Sequence, residues 1–233
     1  MNKSVKIALE CALAALIVLV AWLTVKSVQK PVEFKKEVAA RSQVAIQRLK
    51  DIRTLQVAFK SENGRFSPTM DSLKMFYESG KMAIVMQVGS MDDSLAVANT
   101  EAIKKANKKL KPEEVLVKLQ EAYKQGTPVV YSITTQIPVK DTLFNNRPDF
   151  CIDSLAYIPF SGGIKTEMES DIKLVSGVHV PLFEARMPYK ALCKGLDNQQ
   201  RINLDAERRD MNKYEGLQVG SITAPNNNAG NWE

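Results

Sequence analysis

The chain has 233 residues, 45% of them hydrophobic, 25% charged and 7% aromatic, the composition of a folded protein with room for one domain and an anchor or two very small domains. Its formal charge is +6, but Lys26 to Arg53 alone holds eight basic residues against Glu33, Glu37 and Asp51, so the remainder is close to neutral and the basic balance does not indicate nucleic acid. Three cysteines without a CxxC spacing and a single histidine, His179, give zinc no ligand set.

A head of six residues, with Lys3 and Lys6, precedes the first element, Ile7 to Val25. This run, IALECALAALIVLVAWLTV, has nineteen residues and one ionisable group. As a helix it reaches about 28 Å, close to the thickness of a hydrocarbon core. It is longer than the apolar part of a cleaved leader, and WLTVKSVQ behind it is a poor cleavage site, so an uncleaved single-pass anchor is expected. Basic residues flank both ends, and the short head favours an N-inside orientation with the following domain outside the cytoplasm. Glu10 lies one turn into the run, either as an interfacial acid reached by water and lysine or as a group that pairs with a neighbouring helix. Lys26, Lys30, Lys35 and Lys36 follow, and are expected to meet anionic headgroups at about 1 kcal/mol each when close to the surface. The aromatics that stack bases are missing there, so nucleic acid is not an expected partner.

From Val32 to about Glu62, Phe34, Val38, Ala45, Leu49, Ile52, Leu55, Ala58 and Phe59 recur at three- or four-residue spacing, an amphipathic helix that Asn63-Gly64 ends. Pro31 before it permits a first-turn start or a kink. A stalk-like coiled coil is the alternative, and Arg41 and Arg48 interrupt its heptad. The soluble domain is expected over residues 63–223. It opens with a short helix, Met70 to Ser79, and a strand, Lys81 to Val88. Residues 90–125 read as a lysine-rich helical insertion, restarting at Pro112. Thr127 to Val139, Cys151 to Pro159, Lys165 to Val175 and Val178 to Arg186 are strand candidates, with Ser176-Gly177 as a tight hairpin turn. Pro188 to Leu196 reads as a helical turn, Glu215 to Ile222 as a last extended segment, and residues 224–233 as a polar tail. The order predicts an α+β fold: a transmembrane helix, a long amphipathic helix, then a small antiparallel sheet with a helical insertion.

The stretch RLKDIRTLQVAFKSENGRFSPTMDSL, behind a membrane-spanning helix and ahead of a β-rich half, resembles the layout of type IV pilin-like proteins and pseudopilins. Arg53, Leu55, Asn63, Gly64 and Phe66 stand where that family often carries its helix-end motif, and Glu10 would take the place of its intramembrane acid. The glycine before phenylalanine that the prepilin peptidase cuts is missing at the membrane entry. The whole chain, with NNNAGNWE at its end, also resembles an uncharacterised family of single-pass envelope proteins of Bacteroidetes-type bacteria. These resemblances imply an envelope protein, and with the anchor and its orientation the expected place is the bacterial inner membrane with a periplasmic domain, the expected partners being lipid and another envelope protein or itself.

No catalytic set is expected. His179 lies in a strand-like stretch, Ser161-Gly162-Gly163 lacks a nucleophile elbow, and no phosphate-binding glycine loop occurs. Glu167, Glu169 and Asp171 alternate as on the solvated face of a strand, and Glu207 to Asp210 form a charged turn or helix. Cys151 and Cys193 are open to two states, a disulfide in an oxidising compartment or two separately buried thiols. The expectation is a non-enzymatic structural or interaction protein without cofactor or metal, and the alternative is a tethered binding module for a small ligand, lipid or cell-wall fragment.

Overall fold

The computed structural model describes the backbone of residues 3–233 and the side chains from Ala12 onward. Its class is α+β, with a long N-terminal helix, further helices and two small antiparallel sheets. The first element, α1 (Lys3–Asn63), is a single helix of 61 residues. Pro31 lies inside it and removes one backbone donor, yet the helix continues on both sides. The anchor and the amphipathic helix expected separately are therefore one element.

The chain divides into two compact units, one formed by residues 1–74 and 150–233, the other by residues 75–149. The dividing point falls within α2 (Met70–Ser79). In the first unit the second half of α1 is the floor of the core. Phe34, Val38, Ala45, Leu49, Ile52, Leu55 and Ala58 are all buried, as their spacing predicts. Above them lies a three-stranded sheet in the order β3 (Glu167–Val175), β4 (Val178–Pro188), β5 (Gly216–Gly220). Strand alternation sends Phe183, Ala185 and Met187 toward the core, where none is exposed, and the Phe66 ring sits 4.8 Å from that of Phe183. The β3–β4 turn has Ser176 and Gly177 both at positive φ, the geometry of a two-residue primed hairpin turn.

Two segments depart from the expected reading. Cys151 to Pro159 contains a 3-10 turn (Ile152–Ala156), not a strand, and only Tyr157 bridges to Lys165. The reason lies in the spacing. Ile152, Leu155 and Ile158 bury at intervals of three, and Arg48 Nη1 on α1 donates to the carbonyls of Ser154 (2.8 Å) and Tyr157 (2.7 Å). The polar tail also has a structural role, pairing along the free edge of β5. Gly220 N donates to Ala229 O, Asn231 N donates to Gln218 O, and Arg53 holds Glu233 at 2.7 Å. After β4 come the one-turn helix α6 (Tyr189–Leu192) and α7 (Asn198–Asp210), which Asp197 caps by accepting from Gln200 N.

The second unit is a β-hairpin with a helical pair in its connection. Strands β1 (Lys81–Val88) and β2 (Tyr131–Pro138) pair antiparallel, with α3 (Ser94–Ala106) and α4 (Pro112–Lys124) between them in sequence and α5 (Val139–Thr142) after them. Thr100 is buried and fixes the entry to β2, since its hydroxyl accepts from Val130 N at 2.8 Å. The inserted element is thus wider than its helices and includes both strands of one sheet.

Candidate membrane-proximal site

Every residue from Ala12 to Lys30 is exposed, including Leu13, Leu16, Ile17, Val18, Leu19, Val20 and Leu23. A run of this apolarity with nothing covering it is long enough and greasy enough to cross a membrane. Apolar exposure continues past Val25 to Val28 and Val32, and Lys26 Nζ lies 4.6 Å above the Trp22 ring. An aromatic with a lysine over its face suits a headgroup boundary, where one end of each side chain is wet. The side chain of Glu10 lies outside the described residues.

Just beyond this stretch of α1 a cavity of about 640 Å³ opens between α1 and the loop joining α6 to α7. Lys30, Glu33, Lys36 and Glu37 supply its charged wall from α1, Phe34 and Leu196 its apolar part, and Asp197 faces them from the loop. Glu37 is paired with Arg41 at 3.0 Å. Lys30, Glu33 and Lys36 stand three residues apart, at ion-pairing distance on a helix, yet none makes an ion pair among the described residues. Of the four expected surface lysines, Lys30 and Lys36 line the cavity, Lys26 covers Trp22, and Lys35 is exposed.

The arginines of α1 hold the loops around it. Arg41 Nη1 donates to the carbonyls of Leu192 (3.1 Å) and Lys194 (2.9 Å), satisfying acceptors at the end of α6, while Arg48 serves the 3-10 turn as described. These two residues also explain the cysteines. Cys193 is buried near Arg41, and Cys151 is exposed near Arg48, two helical turns away. Both are free thiols, so the disulfide state is not the one the structure adopts, and only Cys193 is buried. Burial pushes the Cys193 thiol up to about 11, with Arg41 acting against that shift. In the native protein at pH 8, iodoacetamide is expected to label Cys151 within minutes and to leave Cys193 unlabelled until denaturant is added. Peptide mass spectrometry showing equal labelling of the two would contradict this arrangement.

A second cavity of about 570 Å³ lies against α7, with Pro188, Ile202 and Ala206 for apolar wall and Lys190 and Lys213 as cations. Its Asp205 is buried, bonded to Arg201 through Oδ2, and Oδ1 has no partner among the described residues. Burial raises the Asp205 pKa, and Arg201 opposes it. Tyr214 on the same wall is pushed up to about 12, again by burial.

The sequence-level acids also find places. Glu167 and Glu169 are not simply solvated: with Glu184 they surround Arg186 at 3.4, 2.9 and 3.2 Å. Asp171 instead accepts from Ile172 N, and His179 is exposed on β4 opposite Leu174. Arg208 and Arg209 of the 207–210 cluster lie on α7. Arg208 donates to Tyr214 O, and Arg209 pairs with Glu215 at 2.7 Å. No group of three His, Cys, Asp or Glu residues is placed to hold a metal among the described residues.

Against known proteins the chain stands apart: no family model, no curated protein and no solved structure matches it.

Proposed function

We propose that this is a membrane-anchored structural or interaction protein of the bacterial envelope, with its head on the periplasmic side of the inner membrane. One observation carries the reading. A single helix has an uncovered apolar first half and a second half that lines the core of the first unit, so no linker separates the apolar run from that unit. A linker would serve if only retention mattered. A continuous helix instead fixes the distance and direction of the head from the bilayer, which is what an assembly of side-by-side copies or a fixed partner uses. The same layout supports a pilin-like or secretion-type assembly as the setting.

Photocrosslinkers at lipid-facing positions such as Val18, activated in native membranes, are expected to give dimeric or heteromeric adducts. Recovery of monomer alone at every position would count decisively against the reading. A C-terminal reporter active only outside the cytoplasm is expected to be active, and a silent one would reverse the orientation. A tethered binding module is the second reading. It is favoured by the cavity against α7, where Lys190 and Lys213, a buried Asp205 whose Oδ1 has no partner among the described residues, and an apolar wall converge.

A further inference from the structure

We propose that the cavity at the neck of α1 is a binding site for the headgroup of an aminophospholipid, in which a phosphate and a primary ammonium are joined by two methylene groups. The inference rests on the membrane-anchored reading and adds a lipid class and a set of residues to it. Position is the first argument. Val28 is the last exposed apolar residue before Lys30, and Lys30 and Glu33 lie about 3 and 7 Å farther along the helix. The polar layer of a bilayer leaflet is about 5–7 Å thick, so Lys30 and Glu33 fall in or beside it when the apolar contact extends to Val28. Lys36 is about 12 Å along, and its four-carbon stem lets its ammonium reach back toward the same layer.

Charge is the second argument. A site for an anionic headgroup would be basic throughout, whereas this wall alternates Lys30, Glu33 and Lys36, with Asp197 opposite. Helical neighbours of opposite sign that leave each other unpaired can each take an external partner without first breaking an ion pair. Lys30 and Lys36 suit the phosphate, and Glu33 suits the ammonium, which offers three N–H donors. Asp197 already accepts from Gln200 N as the cap of α7, so its role is to add negative potential beside Glu33. A trimethylated amine has no N–H to give Glu33, and a glycerol headgroup has no positive charge. The geometry therefore discriminates among the three common headgroup types. Shape agrees with this assignment. Phe34 and Leu196 give the cavity an apolar side continuous with Val28 and Val32, along which the glycerol backbone and the start of an acyl chain can lie.

The test uses the full chain, purified in detergent and examined by native mass spectrometry with equimolar phosphatidylethanolamine, phosphatidylglycerol and phosphatidylcholine. Retention of phosphatidylethanolamine is expected to exceed that of the other two by about threefold to fivefold, the scale of one or two half-exposed ionic contacts. Glu33→Gln should remove that preference while leaving total lipid retention similar. Lys30→Gln with Lys36→Gln should lower retention of all three lipids. Equal retention across headgroups, or a preference that survives Glu33→Gln, overturns the proposal. So does protection against lipid exchange by soluble phosphoethanolamine at the concentration at which the lipid acts, because the ligand would then be a free metabolite. Carbonate extraction of the membranes that hold the protein, before detergent is added, separates the site from the anchor. Retained protein without headgroup selectivity defeats only this site, while released protein defeats the anchor and the site together.

Discussion

Val18→Arg combined with Leu19→Arg is expected to move the full-length protein from the carbonate-resistant membrane pellet to the soluble or aggregated fraction. Both side chains are more than half exposed or close to it, at 69% and 50%, and they stand near the middle of the uncovered apolar run. An arginine at the centre of a membrane helix costs about 2.5–3.5 kcal/mol on insertion scales, so two together shift the partition by roughly four orders of magnitude. Snorkelling reduces the penalty near an interface but has little reach from the centre. Gln43→Arg is the control. It places one arginine on an exposed position of the same helix, where the helix is already in the head, and should leave the pellet fraction unchanged. If the double variant stays in the pellet, the apolar run is not what holds the protein in the membrane. If intact mass measurement of the wild type shows the first two dozen residues missing, the run is a leader and the anchor reading fails.

The apolar helix was the most legible part of the chain because its signal is redundant: all of its nineteen positions but Glu10 are free of charge, and no tertiary contact is needed to interpret them. The amphipathic half of α1 was legible for a related reason, since Phe34 through Ala58 repeat over seven turns and average out local exceptions. What could not be read was the role of the polar interruptions. Arg41 and Arg48 look like breaks in a heptad along the sequence. In the fold each crosses to backbone carbonyls more than a hundred residues away, and such pairings leave no local periodicity.

The acidic row on β3 is an intermediate case. Once the turn is placed at Ser176-Gly177, counting outward pairs Glu167 with Arg186 and Glu169 with Glu184, so the cluster around Arg186 was recoverable from register alone. Only the end of α7, Glu207 to Asp210, was expected as a turn or helix, and its first part was missed because it is weakly apolar, with little beyond Ile202, Leu204 and Ala206 to mark a face. The neck cavity was half visible. Lys30 and Lys36 were expected at the membrane surface, but the loop of Gly195 to Asp197 that closes the opposite side comes from a region with no sequence proximity to them.

Phe183→Ala should lower the melting temperature of the head more than any surface change, because Phe183 is where the sheet meets the helix. Its ring is fully buried at the centre of β4, and the Phe66 ring lies 4.8 Å away at a tilt of 52°. The side chains of Leu49, Ile52 and Leu55 bury completely from the α1 side of the same core. Deleting a buried phenylalanine costs about 3–5 kcal/mol through lost transfer energy and an unfilled cavity. For a unit of this size each kcal/mol is worth about 2–4 °C, so the loss should be roughly 6–20 °C in a thermal melt followed by circular dichroism. Val178→Ala on the same strand, exposed beside the turn, is expected to change the midpoint by about 1–2 °C at most. The contrast between these two variants separates burial from strand position. If they melt alike, β4 does not pack on α1. If Phe183→Ala melts early yet Val18→Arg with Leu19→Arg does not, head stability and membrane insertion are independent properties of the two halves of one helix. That outcome is expected, since no side chain from Ala12 to Lys30 contributes to the buried core.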